Sequence, residues 1–217
     1  MHYNRQIIPA SRRNQRPGVK ITANSITIHS TGNPKSTAQN EADYVCYNSD
    51  RKASYHFVVD EKEIIQVMPI SEMAYHSGTS KGNRTSIGIE MCETGNRKKV
   101  FDNTVWLVRY LMDTYKIRTV VRHYDWNKKN CPRILIDADH IRDGLNWDKM
   151  KKAIYEKGEI EMTEIYNKIE EVPSTYRAVV QWALDKGILK GTGQGLGLSM
   201  DNIKALVFLY RYAHLDQ

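Results

Sequence analysis

Residues 25–34 read SITIHSTGNP, and their pattern decides the architecture of most of the chain. Ile26 and Ile28 alternate with Thr27 and His29, the two-residue period of a half-buried strand. Thr31 to Pro34 form a turn, after which Ser36 or Thr37 is placed to cap a helix running to about Asn48. Further strands follow. YHFVVD (55–60) and EIIQVM (63–68) read as a hairpin, and SIGIEMC (86–92) and TVVRHY (119–124) as two more strands. Val105, Val108, Leu111, Met112 and Tyr115 recur at helical spacing, with Asp102 as candidate cap, and another helix is expected over about 146–156. The hairpin argues against a purely parallel sheet. The expected fold class is α/β, a mixed central β-sheet flanked by helices, followed by a small all-α C-terminal module.

Charge marks a boundary near residue 158. Residues 1–157 carry 26 Lys and Arg against 17 Asp and Glu, whereas residues 158–217 carry 6 against 8. The reading is one domain over 1–157, a polar linker over 158–172 and a module over 173–217. In that module two helices, about 174–186 and 199–213 with Ser174 and Ser199 as caps, flank the loop GILKGTGQGLGLS. Such a segment is too short to bury a large core alone. The basic front half suggests an anionic partner or a merely solvated basic surface. With 41% hydrophobic and 26% charged residues the composition is that of a globular chain, and no apolar run is long enough to span a membrane. No nucleic-acid motif or interleaved basic-aromatic stripe is present. The opening MHYNRQIIPASRRNQRPG lacks the apolar core of a signal peptide. Cys46, Cys92 and Cys131 form no disulfide framework, so synthesis in a reducing cytosol is expected.

His29 and His123 each sit where a strand ends, and Cys131 follows the second strand across a short loop. Two imidazoles and a thiolate suit a Zn²⁺ ion with its fourth position open. The same residues also fit strand-end histidines satisfied by local hydrogen bonds. Glu90 lies inside an Ile-rich strand, where an acid is costly to bury without a task. Beside an activated water it would act as general base and then as acid toward the leaving amine. On a half-exposed sheet it would simply face solvent. Gly88, on the same face, leaves room above the sheet for a cleft. His76 either lines that cleft or bonds to backbone. Cys92 is a rival fourth ligand or a buried thiol, Cys46 and His56 read as packing residues, and His2, His140 and His214 as surface residues.

The segments ITIHSTGNP, SYHFVVD, EMAYHSG, TSIGIEMCE and VVRHYDWNKKNCPRIL occur in this order within residues 18–155. Together they resemble the zinc-dependent type-2 N-acetylmuramoyl-L-alanine amidases, a family related to peptidoglycan recognition proteins. The opening IIPASRRNQRPG resembles the start of phage amidase endolysins. The resemblance implies one Zn²⁺ held by His29, His123 and Cys131, with Glu90 as catalytic acid/base. It further implies Lys129 and Tyr55 at the reacting carbonyl, with His76 toward the substrate. The implied reaction is hydrolysis of the amide joining N-acetylmuramic acid to L-alanine in peptidoglycan. A chain lacking Cys131 would instead be a non-catalytic wall binder. Two departures stand out: Asn127-Lys128-Lys129 replaces a loop that carries Gly in many relatives, and Asp60-Glu61-Lys62 replaces an Asp-Gly turn. EVPSTYRAVVQWALDKGILKGTGQGLGLSMDNIKALVFLYR resembles an S-layer-homology-like wall-binding module, with secondary wall polymers as candidate ligands. Its alternative is a helical cap or a homodimerisation element with Trp182, Leu206, Leu209 and Tyr210 as interface. The expected partners include neither nucleic acid nor membrane, and the expected place of action is the cell wall after release through a holin-type pore.

Overall fold

The computed structural model describes residues 3–156, 166–190, 195–198 and 200–213. The chain divides into two compact units, Met1–Glu156 and Lys157–Gln217.

The first unit is built on a six-stranded sheet. In chain order the strands are β1 (Asn4–Arg5), β2 (Ser25–Ser30), β3 (Phe57–Val59), β4 (Ile64–Gln66), β5 (Ser86–Met91) and β6 (Thr119–Arg122), arranged as β1-β4-β3-β5-β2-β6. β3 and β4 form the expected antiparallel hairpin, and every other neighbouring pair is parallel. The Asp60 turn replaces glycine chemistry with side-chain acceptance. Asp60 Oδ1 takes the backbone N–H groups of Lys62 (2.7 Å) and Glu63 (2.9 Å), and Oδ2 takes that of Ala38 (2.9 Å). One carboxylate thus shapes the hairpin and satisfies the start of helix α1 (Ala38–Asp43).

Strand periodicity sends alternate side chains to two cores. Ile26, Ile28, Ile87, Ile89, Met91, Phe57 and Val59 pack with Val100, Leu107, Val108 and Leu111 of helix α3 and with Met150 and Ile154 of helix α6. These helices span Arg97–Tyr115 and Trp147–Tyr155, and between α1 and α3 lies helix α2 (Ser80–Thr85). On the other face Val58, Ile65, Ala38, Ala42, Val45 and both Cys46 and Cys92 form a second core. Cys92 is therefore a packing thiol, not a ligand. Thr27, His29, Gly88 and Glu90 alternate with the isoleucines of β2 and β5 and so lie on the face opposite α3.

Several boundaries differ from expectation. The first helix is capped by Thr37, but after Asp43 it widens into a π-helical turn over Tyr44–Asn48. α3 begins five residues before Asp102. Asn96 caps it by accepting from Lys99 N–H (3.0 Å), and Asp102 pairs with Lys98 (2.7 Å). The basic run Arg97-Lys98-Lys99 masked this start, because cations are unfavourable at a helix N-terminus. β6 stops at Arg122, and His123 opens the short helix α4 (His123–Asn127), which replaces part of the expected loop. Asp125 causes the change by accepting from Arg122 N–H (2.8 Å) and pairing with its guanidinium (2.7 Å). The helix α5 (Arg133–Ile136) follows Cys131-Pro132.

Arg16 and Lys20 clamp the N-terminal segment to Glu72 at 2.7 and 3.3 Å. The Arg16 hydrogen bonds hold the Glu72 carboxyl down at about 2. A depressed carboxyl contributes stability above its unfolded value of about 4.5 and loses it as pH falls through about 2. At about 1.4 kcal/mol per pKa unit the contribution is up to about 3 kcal/mol. Denaturant unfolding should therefore show Glu72→Gln less stable than wild type at pH 7, with the gap closing toward pH 2. A gap independent of pH would contradict this.

In the second unit, helices α7 (Ser174–Asp185) and α8 (Met200–Tyr212) share a small core of Val172, Val179, Val180, Ala183, Ile203 and Leu206. An antiparallel bridge joins Tyr166 to Leu198. Pro173, not Ser174, occupies the cap position of α7, and Ser199 lies outside the described residues. Leu206 belongs to this core and Trp182 packs edge-on against Tyr210 at 5.2 Å. Of the four residues expected at an interface, Leu209 alone is half-exposed. Among the described residues no helix is long and apolar enough to cross a membrane. His2 and His214 lie outside the described residues.

Candidate metal centre

Three parallel strands, β5, β2 and β6, bring the chemistry to one edge. In the β2–β5 register His29 stands opposite Glu90, and His123 begins one residue past the end of β6. Crevices outside the carboxyl ends of parallel strands are where ligands bind in such sheets. Three anchors fix the segment that carries His123 and Cys131. The Trp126 indole N–H donates to Thr27 Oγ1 (2.9 Å), fastening α4 to β2. Tyr124 N–H donates to the Cys131 carbonyl (2.9 Å), closing the loop. Arg133 grips Glu93 at 2.6 Å, and Glu93 also accepts from Gly32 N–H at 3.0 Å. Glu93 and Arg133 gave no sequence signal, because a pairing 40 residues apart has no local period.

His29 Nδ1 lies 3.0 Å from His123 Nδ1 and 3.8 Å from Cys131 Sγ, and the three donor atoms fall within 4.8 Å of one another. All three residues are buried. Bonds of about 2.0–2.3 Å to a tetrahedral ion place donors about 3.3–3.8 Å apart, so this set fits one metal ion after small adjustments. Burial, with the neighbouring His76 and His123, pushes His29 well below the usual histidine value, and burial with Lys129 lowers His123 to about 4. Both rings are thus neutral, the form that ligates. Burial and Glu90 push the Cys131 thiol up to about 12, so capture of an ion displaces its proton.

Glu90 Oε1 is 4.0 Å from His29 Nδ1, and its side chain is 17% exposed. Among the described residues Glu90 Oε2 has no hydrogen-bond partner. Burial raises the carboxyl to about 8; Glu41 adds to the rise and Lys129 opposes it. Such a group can take up and return a proton near neutrality.

Lys129 is exposed and lines two cavities that meet at the histidines. One, of about 200 Å³, is lined by His29, Glu41, Tyr55, Glu90 and Cys131 among others; the second, of about 650 Å³, by Lys52, Tyr75, Arg84 and Asn127 among others. Lys128 instead lies over the Tyr124 ring at 5.0 Å, which separates the two adjacent lysines. Tyr55 is in the smaller cavity, but its hydroxyl donates to the Glu41 carbonyl (2.8 Å) and is committed there. His76 lines both cavities as well. Its ring is buried, with Nδ1 2.9 Å from His29 Nε2 and Nε2 3.2 Å from the Ser86 carbonyl, so protein atoms engage both nitrogens. The space expected above Gly88 is filled by that ring: a Cβ on Gly88 would stand 2.7 Å from His76 Cγ. His56 is fully buried, as a packing residue should be, and His140 lies beside Asp137 at 3.2 Å.

Residues 19–134 match the N-acetylmuramoyl-L-alanine amidase family. The amidase XlyA of Bacillus subtilis (strain 168) is 39% identical over 149 residues, 65% of this chain and 47% of the relative. CwlH of the same organism is 39% identical over 151 residues, 65% of this chain and 59% of its own. The chain thus spans about half the length of these two curated relatives. CwlA of that organism is 33% identical over 215 residues, 88% of this chain and 74% of its own. The solved catalytic domain of XlyA superposes with a TM-score of 0.64 at 37% identity, covering 71% of this chain and 99% of that one. With more than half of its residues matched to the family and its two-histidine, one-cysteine cluster beside a half-buried acid, the chain belongs to the N-acetylmuramoyl-L-alanine amidases.

Proposed function

We propose that the chain hydrolyses the amide bond between N-acetylmuramic acid and L-alanine in bacterial peptidoglycan, using one Zn²⁺ ion held by His29, His123 and Cys131. The observation that carries this reading is the buried cluster of three donors, with the Glu90 carboxylate 4.0 Å from one of them. A bound Zn²⁺ supplies Lewis acidity toward the scissile carbonyl and makes water a competent nucleophile at neutral pH. Glu90 takes the proton of the attacking water and passes it to the leaving amine of L-alanine. The Lys129 ammonium, at the junction of the two cavities, offsets negative charge developing on the carbonyl oxygen. Tyr55 lines the smaller cavity beside Glu90, with its hydroxyl bonded to the Glu41 carbonyl.

In this reading residues 1–157 are the catalytic domain. Residues 158–172 are a linker, and residues 173–217 a wall-binding module that raises the local concentration of enzyme on its insoluble substrate. Secondary wall polymers are its candidate ligands, and the cell wall is the place of action.

Mass spectrometry of digested walls tests the reaction. Free stem peptides beginning with L-alanine should appear beside intact glycan strands. Release should stop after chelation and return with Zn²⁺. Cleaved glycan, or wall binding without release, would exclude the amidase reading. Removing residues 158–217 should abolish wall pull-down while hydrolysis of a soluble muropeptide persists; undiminished pull-down would exclude the tether.

A further inference from the structure

We infer that His76 is a positioning residue: through one hydrogen bond it holds His29 in the tautomer that leaves His29 Nδ1 free to ligate a metal ion. This rests on the reading that His29, His123 and Cys131 form a metal centre, and it assigns His76, on the wall of both cavities, a hydrogen-bonding role toward a ligand of that centre.

The relay starts at a backbone carbonyl, which can only accept. His76 Nε2 lies 3.2 Å from the Ser86 oxygen and must carry the hydrogen. A neutral imidazole has a single N–H, so His76 Nδ1 is left as an acceptor. That atom stands 2.9 Å from His29 Nε2, which must therefore donate. Neutral His29 then has its lone pair on Nδ1, the atom that faces His123 Nδ1 at 3.0 Å and Cys131 Sγ at 3.8 Å. His29 and His76 are only 1% and 8% exposed, an environment that keeps imidazoles uncharged. One direction of hydrogen bonding thus runs from His29 through His76 to Ser86. The opposite tautomer of His76 would leave two lone pairs facing at Ser86 and would place a hydrogen on the ligating atom of His29.

The surroundings hold the His76 ring in this pose. Its backbone N–H and that of Ser77 both donate to Asn83 Oδ1, at 3.0 and 2.9 Å, and Asn83 belongs to α2. The ring lies on the backbone of Gly88, where any side chain would collide with it. Behind it, His56 accepts from Gly88 N–H on Nδ1 (3.0 Å), and its Nε2 lies 2.9 Å from the Glu72 carbonyl, so His56 has no nitrogen to offer His76. Partners of this kind orient metal-ligating imidazoles and raise their affinity. Here a second imidazole relays the constraint from a carbonyl that cannot reach the ligand itself.

Two measurements test the proposal. In the metal-free full chain, multiple-bond ¹H–¹⁵N spectra should report His29 protonated on Nε2. Finding the hydrogen on Nδ1 in wild type would overturn the inference whatever the variants do. Cobalt(II) titration, followed by the thiolate-to-metal absorption, then gives affinity. His76→Phe keeps the ring shape without nitrogens and should weaken binding by about 10–100-fold while shifting His29 away from the pure Nε2–H tautomer. His76→Asn returns an oxygen near the position of Nδ1 and should recover most of that loss. A folded His76→Phe protein with wild-type affinity and an unchanged His29 tautomer would also refute the role. If wild type bound neither cobalt nor zinc, the metal-centre reading would fall, and the spectra would still decide the hydrogen-bond relay.

Discussion

Glu90→Gln is expected to keep its metal and to lose wall hydrolysis by about 10³-fold or more, at the strong end of what general acid–base groups contribute. The substitution preserves shape and leaves the three donors untouched. It removes the carboxylate oxygen, 4.0 Å from His29 Nδ1, that can accept a proton from water and return it to an amine. Burial raises the carboxyl to about 8 in the metal-free site, and a divalent ion held by the neighbouring donors would draw it back toward the charged form that accepts a proton from water. An amide carries no such charge, and the metal-free variant should unfold no more easily than wild type. Metal content by mass spectrometry and initial rates of stem-peptide release are the two measurements required. A metal-loaded variant with rates within about tenfold of wild type would remove Glu90 from the mechanism, since acid–base groups contribute more than that.

Cys131→Ala should abolish both metal and activity. The thiolate is the only anionic donor in the cluster, and it neutralises half the charge of a divalent ion in a buried site. Losing it forfeits a bond worth a large share of binding, so affinity should fall on the order of 10³-fold or more. The fold should survive, because the Cys131 loop is also tied by Tyr124 N–H to the Cys131 carbonyl and by Arg133 to Glu93. Equilibrium dialysis against buffered zinc, with circular dichroism as a folding control, separates the two effects. A metal-free Cys131→Ala protein that releases stem peptides at the wild-type rate would end the metal-dependent account. The pair of variants is informative together: one should be loaded and inactive, the other empty and inactive.

Much of the frame was legible from local pattern. The alternation in SITIHS and SIGIEMC, the hairpin, and the helical spacing of Val105, Val108 and Leu111 follow from periods of two and 3.6, which any packed α/β layer must respect. The chemical types at the site, two strand-end histidines, a cysteine and an acid in an apolar strand, were visible for the same reason: a burial pattern makes an out-of-place polar residue conspicuous. Helix starts read less well. The cap of α3 was hidden by three successive cations, and α4 by a polar sequence whose helix depends on Asp125 turning back to Arg122.

The linear chain thus specified which strands exist, which of their faces are apolar and which donor types lie at their ends. Only folding in three dimensions determined the direction of each hydrogen bond. Tyr55 and His76 illustrate the difference. Their residue types suit contact with substrate, yet the hydroxyl of one is spent on Glu41, and the two nitrogens of the other on His29 and Ser86. Donors and acceptors separated by 10 to 47 residues meet through packing of the whole layer, and no local period encodes which of them will be satisfied first.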